Sequence, residues 1–139
     1  MYRKDYISKV VEQLLNSLAT LLVFVKDKDY ESAEVVFAEE VGRFIKIPYS
    51  KFVTDNSNKW FEALTSDYGH QPEVYENFAN LLLEGAEIAF DTHHITEGFL
   101  LVTKCQRLYN FLLESDNSYS IVRESNLERL AILISKFSN

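Results

Sequence analysis

Residues 72–113 constrain the fold of this chain more than any other stretch. Apolar residues recur at Tyr75, Phe78, Ala79, Leu82, Ala86, Ala89 and Phe90, the three-and-four spacing of one helix face. A second stripe at Val74, Leu81 and Ile88 widens that face, so this helix is expected to meet neighbours on two sides. Pro72 suits the first helical turn, where its missing N–H has no partner within the helix. The pattern breaks at Asp91-Thr92-His93-His94 and restarts at Ile95, Phe99, Val102, Cys105, Tyr109, Leu112 and Leu113. The spacing predicts two helices joined by a tight turn. Gly85, Ala86, Gly98 and Cys105 are all small, and a glycine inside a helix costs about 1 kcal/mol against alanine. Their presence predicts two backbones in close approach where positions 86 and 98 lack bulk.

Only four Gly and two Pro punctuate the chain, which favours long helices over many short strands. We therefore expect an all-α fold of five to six antiparallel helices in a single domain, 1–139, large enough to bury roughly two-thirds of its unfolded surface. The first helix, about residues 3–26, turns Ile7, Val10, Val11, Leu14, Leu18, Leu21, Leu22 and Val25 inward. Leu15, Ala19, Val23 and Phe24 are apolar outside that stripe. Such a helix is either central and covered on several sides, or carries a self-association face that makes the chain a homodimer. Asp29 caps the second helix, about 30–44, whose inner face carries Ala33, Val36, Phe37, Val41 and Phe44. Ile47-Pro48 then breaks the chain, because the residue before a proline avoids helical geometry.

Residues 49–71 are less regular. A single turn at 49–53 precedes a short helix opening at Asn56 or Ser57, with Trp60, Phe61 and Leu64 on its inner side. This insertion would fill a groove or cap an end. Of the aromatic residues, Tyr49 and Trp60 are the ones expected to reach a surface and form an interaction patch, together with Leu15 and Ala19 of the first helix. Glu114-Ser115-Asp116-Asn117 is a polar turn, after which Ser118 or Ser120 opens the last helix. The Ser125-x-x-Glu128 capping box could instead restart it. Leu127, Leu130, Ala131 and Ile134 form its expected core face.

The net charge of −7 is unevenly spread: residues 29–97 hold fourteen acidic groups against four basic ones, whereas residues 1–28 hold three against five. No basic stripe could displace counterions from a phosphate backbone, so nucleic acid is not an expected partner. Anionic membranes are disfavoured for the same reason, and the best apolar run, 18–25, is too short to span a bilayer. Met1-Tyr2-Arg3-Lys4 looks like a basic leader, but Glu12, Gln13 and Asn16 interrupt the apolar stretch behind it, and the chain is read as cytoplasmic.

Chemistry is thinly represented. His93 and Glu97 stand four apart and could share a helix face as two metal ligands, with His94 beside them, but a third ligand such as His70 is not placed by the sequence. Cys105 lies on an apolar stripe among Leu101, Val102 and Tyr109, where a thiol would be inert. There is no Gly-x-Ser-x-Gly elbow and no Gly-rich phosphate loop. The expectation is a non-enzyme without cofactor or metal, which binds an unidentified protein partner through a groove bordered by its first, second and fourth helices.

Placing Ala86 at the eighth position of the tetratricopeptide pattern puts Gly98 at the twentieth and Cys105 at the twenty-seventh, all small as in that family. Lys28-Asp29-Tyr30-Glu31-Ser32-Ala33 resembles the same repeat's turn. Ala33 and Gly98 lie 65 residues apart, near two such repeats. This resemblance implies helical hairpins wound into a right-handed superhelix. Arg3-Lys4-Asp5-Tyr6-Ile7 with Val11-Glu12-Gln13-Leu14, and Ser118-Tyr119-Ser120 with Arg123, resemble an uncharacterised family of small bacterial tetratricopeptide-like proteins. That likeness implies fold and a bacterial cytosolic origin, and carries over no site residues.

Overall fold

The computed structural model describes residues 2–115 and 120–138. Among them are seven α-helices and no strand: α1 (Tyr2–Lys26), α2 (Tyr30–Ile45), α3 (Tyr49–Thr54), α4 (Lys59–Tyr68), α5 (Pro72–Asp91), α6 (Ile95–Ser115) and α7 (Ile121–Phe137). The all-α expectation holds, with one helix more than five to six. The extra one is α3, which continues past the single turn expected at 49–53. Asp116, Asn117, Ser118 and Tyr119, where the polar turn was expected, lie outside the described residues. Ser120 caps α7 by accepting from Arg123 N, so the helix does not restart at Ser125.

The centre of the fold is α5, not α1. Both expected stripes of α5 are buried, Val74, Leu81 and Ile88 as well as Tyr75, Phe78, Leu82, Ala86 and Phe90. α1 lies against it through Ile7, Val10, Leu14 and Leu21, all buried, and uses only that face. Leu22, expected to point inward, is exposed. α6 runs antiparallel to α5, with Cys105 Sγ 3.7 Å from the Ala79 carbonyl oxygen. Continuing that register brings buried Ala86 level with buried Gly98, as the small residues suggested.

The missing bulk serves aromatic rings rather than backbone contact, however. A Cβ at Gly98 would sit 2.7 Å from the Phe90 ring, and one at Gly85 would sit 2.0 Å from that of Phe37. Phe37 is itself buried and set edge-on to Tyr49, with ring centres 5.5 Å apart. It therefore has little room to yield.

Two hairpins, α1–α2 and α5–α6, turn in the same way. Lys28 (φ 59°) and His93 (φ 66°) take the left-handed conformation that ends a helix. In the first turn Lys28 N donates to Val25 O (3.0 Å) and Asp29 N to Phe24 O (2.8 Å). In the second, His93 N donates to Phe90 O (3.1 Å) and His94 N to Ala89 O (2.7 Å). Each pair closes the last carbonyls of its helix. Ala33 N to Asp29 O and Gly98 N to His94 O then open α2 and α6.

The segment of α3 and α4 is held to the hairpins by a chain of rings. Phe52 of α3 packs on Phe78 (5.9 Å) and edge-on to Trp60 (5.5 Å), Trp60 meets Phe61, and Phe61 meets Phe111 of α6. Burying a ring like Phe52 contributes about 1.5–3 kcal/mol. This chain of rings holds two short helices that could not fold alone.

α7 is held differently. Of its expected core face only Leu130 is fully buried, and Ala131 is exposed. Its inner side carries Arg123 and Asn126 instead, and the partners are a polar row on α5. Arg123 makes a forked pair with Glu76 (3.0 Å from Nε), and Arg129 bonds Glu84 (2.5 Å) and Glu87 (2.6 Å). Asn80 Oδ1 accepts from Tyr109 Oη (2.7 Å) and from Asn126 Nδ2 (2.9 Å), tying α5, α6 and α7 at one atom.

Substitutions at both kinds of contact have definite expected outcomes. Gly85→Ala, normally a gain in a helix, should destabilise the protein by about 1–3 kcal/mol because the Phe37 ring must move. Adding Phe37→Leu should recover part of the loss in thermal melts. Asn80→Leu removes the acceptor shared by two buried donors and should cost about 1–3 kcal/mol for each. Faster amide exchange should concentrate in residues 121–137, and uniform exchange across α1 and α7 would contradict this account of the seam.

Candidate functional site

Two regions gather the residues singled out from the sequence. The first is a pocket of about 190 Å³ between the hairpins. Its floor is Gly85, Ile88 and Ala89 of α5, and its walls are Glu34 and Phe37 of α2. Tyr49 opens α3, the α5–α6 turn supplies His94, and the first turn of α6 supplies Glu97. The Tyr49 hydroxyl donates to Glu97 Oε2 at 2.5 Å, so Tyr49 joins three helices rather than presenting a free ring. His94 Nδ1 lies 3.0 Å from Thr92 Oγ1 and 3.5 Å from Glu34 Oε1.

The structure thus brings together His94, Glu97 and Tyr49, and leaves out His93, which closes the turn from its left-handed position and does not line the pocket. His70 follows α4 at the far end of the α5–α6 hairpin, in a hollow with Pro72, Tyr75 and Phe111. A 20-residue helix, about 30 Å long, separates it from His94. Among the described residues no group of three or more His, Cys, Asp or Glu side chains could hold a metal ion. The pocket's polar groups already pair with one another, which makes it a joint between hairpins. Cys105 is wholly buried, and burial pushes its thiol well above the ordinary range, consistent with an inert group.

The second region is the outer face of α1. Leu15, Leu22 and Val23 are 49%, 44% and 58% exposed, and Ala19 lies exposed among them. Glu12 and Lys26 bound this stripe at its two ends and are exposed too. By length and composition Lys4–Lys26 is apolar enough to cross a membrane, more than the 18–25 run implied, and only 28% of its apolar window is buried in the bundle. Two hollows lie along α1 and α2, one of about 120 Å³ that reaches Tyr68 of α4 and one of about 340 Å³ lined by Gln13, Asn16, Thr20 and Val36. Ser17 bridges the two helices by donating to Glu40 Oε2 at 2.9 Å, and Arg43 pairs with the same carboxylate from within α2.

Trp60, expected at a surface, is only 5% exposed and packs into the ring chain. A residue that the spacing could have revealed lies beside it. Lys104 occupies a core slot between Leu101 and Leu108 and is 3% exposed. Its ammonium donates to Asp55 O (2.9 Å) and Val53 O (3.3 Å), closing the end of α3, and sits 5.3 Å from the Phe52 ring centre. Burial holds its pKa below the ordinary lysine value, with the Asp55 charge opposing.

No family model matches the chain, and no curated protein or solved structure matches it.

Burial raises the phenols of Tyr49, Tyr68, Tyr75 and Tyr109 above their ordinary value, with the Glu97 hydrogen bond adding to the effect at Tyr49. A folded-state pKa above the unfolded one gives stability that is intact below the unfolded value of about 10 and is lost as pH rises beyond it. Absorbance at 295 nm during alkaline titration should show these four rings ionising only in step with loss of the helical signal. Their ionisation within a still-helical protein would contradict the packing described.

Proposed function

We propose that this chain is a non-catalytic helical module that binds protein through the outer face of α1. The supporting observation is the stripe of Leu15, Ala19, Leu22 and Val23, which is apolar, exposed and continuous along one side of a helix whose opposite side is anchored in the core. Contiguous apolar surface of this kind marks an association site on a folded chain. Among the described residues no comparable set of reactive groups competes with it. Cys105 is sealed, Tyr49 and Glu97 are mutually engaged, and the buried lysine is spent on backbone carbonyls.

The repeated hairpin turn, 65 residues apart at Lys28 and His93, favours a tetratricopeptide-like ancestry in which the α3–α4 segment was inserted between two helical pairs. On that reading α1 is the first helix of an array, and an apolar outer face there departs from the polar face that a terminal repeat needs when nothing covers it. The likeness to small bacterial tetratricopeptide-like proteins fits the same proposal.

Leu15→Glu and Leu22→Glu test it. Both positions are exposed, so helical content and melting temperature should stay near those of the parent. Association, read as complex mass by light scattering or as capture by immobilised chain, should fall about tenfold or more. Unchanged association in both variants would remove α1 from the site.

A further inference from the structure

We propose that the occupant of this face is the same face of a second copy, antiparallel across a two-fold axis at Ala19. This rests on the reading of α1 as the binding surface and adds what covers it. Glu12, Leu15, Ala19, Leu22 and Lys26 alternate three- and four-residue steps, the seam spacing of paired helices, and all five are exposed. Taken with exposed Val23, this face is self-complementary about Ala19 at Glu12/Lys26 and Leu15/Val23, and Leu22 falls opposite Asn16. Glu12 and Lys26 each lie seven residues from Ala19, about 10 Å along the axis. Leu15 and Val23 each lie four residues away.

In the antiparallel arrangement Glu12 meets the partner's Lys26 twice, Leu15 meets Val23 twice, and Ala19 lets the backbones approach. A parallel pairing would set Glu12 on Glu12 and Lys26 on Lys26, so the charges select the orientation. A two-fold contact needs this self-complementarity, since every contact is made twice. Long-range charge agrees. Residues 29–97 carry fourteen acidic groups against four basic and repel their like, whereas residues 1–28 carry three against five. Two copies that meet through α1 therefore keep their acidic middle segments out of the contact. A bilayer is a poorer occupant, because Ile7, Val10, Leu14 and Leu21 on the same helix are committed to the core.

The experiment combines mass and crosslinking on the whole chain. Light scattering over rising concentration should move from 16.1 kDa to twice that mass. Glu12→Lys and Lys26→Glu should each raise the dimer dissociation constant about tenfold, and the double reversal should restore it. With Cys105 buried, Ala19→Cys supplies the one accessible thiol among the described residues and should oxidise readily to a covalent dimer, whereas Leu15→Cys, displaced from the axis, should not. A strict monomer at the highest concentration overturns the second-copy proposal. If that monomer still binds another protein, or vesicles of neutral and anionic lipid, in a manner abolished by Leu15→Glu, the face survives and only its occupant is wrong. If nothing binds through Leu15, both readings fall. A dimer indifferent to the charge reversals, or crosslinking equally from positions 15 and 19, also overturns the antiparallel arrangement.

Discussion

The structure depends on one helix that has to be covered all round. α5 presents apolar side chains on both of its stripes, and none of the residues at 74, 78, 82, 86 and 90 could stay in water without forfeiting about 1 kcal/mol or more each. A single partner helix cannot enclose such a surface, so α1, α2, α6 and the ring chain of α3–α4 are all drawn onto it. The two glycines show how tight this enclosure is. Gly85 lies under Phe37 from α2 and Gly98 under Phe90 from α5, so each marks a place where a ring displaces a side chain.

The fourth side of α5 is not apolar. Glu76, Asn80, Glu84 and Glu87 stand at four-, four- and three-residue steps along one line, and α7 answers with Arg123, Asn126 and Arg129. Partly buried ion pairs of this kind fix orientation more than they add stability, since desolvation offsets much of their attraction. Asn80 shows the division of labour: its amide oxygen accepts one hydrogen bond from α6 and another from α7, which sets the height of α7 on the bundle.

Helix positions were legible from the sequence wherever an apolar period met a clear stop. Pro72, Asp29 and Pro48 mark boundaries that the structure keeps, and the turn at 91–94 is where the pattern broke. Less visible was anything that depends on a distant partner. The roles of the α5 carboxylates have no local trace, because their arginines lie more than forty residues later. The burial of Trp60 depends on Phe52 of the preceding helix and on Lys104 of α6, which lies far from it in the chain. Lys104 was the exception with a local trace: a cation three residues after Leu101 and four before Leu108 occupies a core slot, and such a slot needs an acceptor. At the pocket, spacing alone paired His93 with Glu97. The left-handed conformation of His93 turns that pairing aside and brings in His94, an outcome of turn geometry rather than of period.

That contrast bears on α1. Helices enclosed by the fold announce themselves with apolar residues around most of their circumference, as α5 does. α1 carries a similar load, yet the bundle uses only the side bearing Ile7, Val10, Leu14 and Leu21. Its unused side is no random scatter of apolar residues, since its charges fall at equal distances from Ala19 with opposite sign. Solubility alone would be met by charges anywhere on that side. Opposite charges spaced evenly about a small residue discriminate between a copy running one way and a copy running the other. In the proposed pairing, that discrimination gives the face a physical reason to remain apolar between its charges.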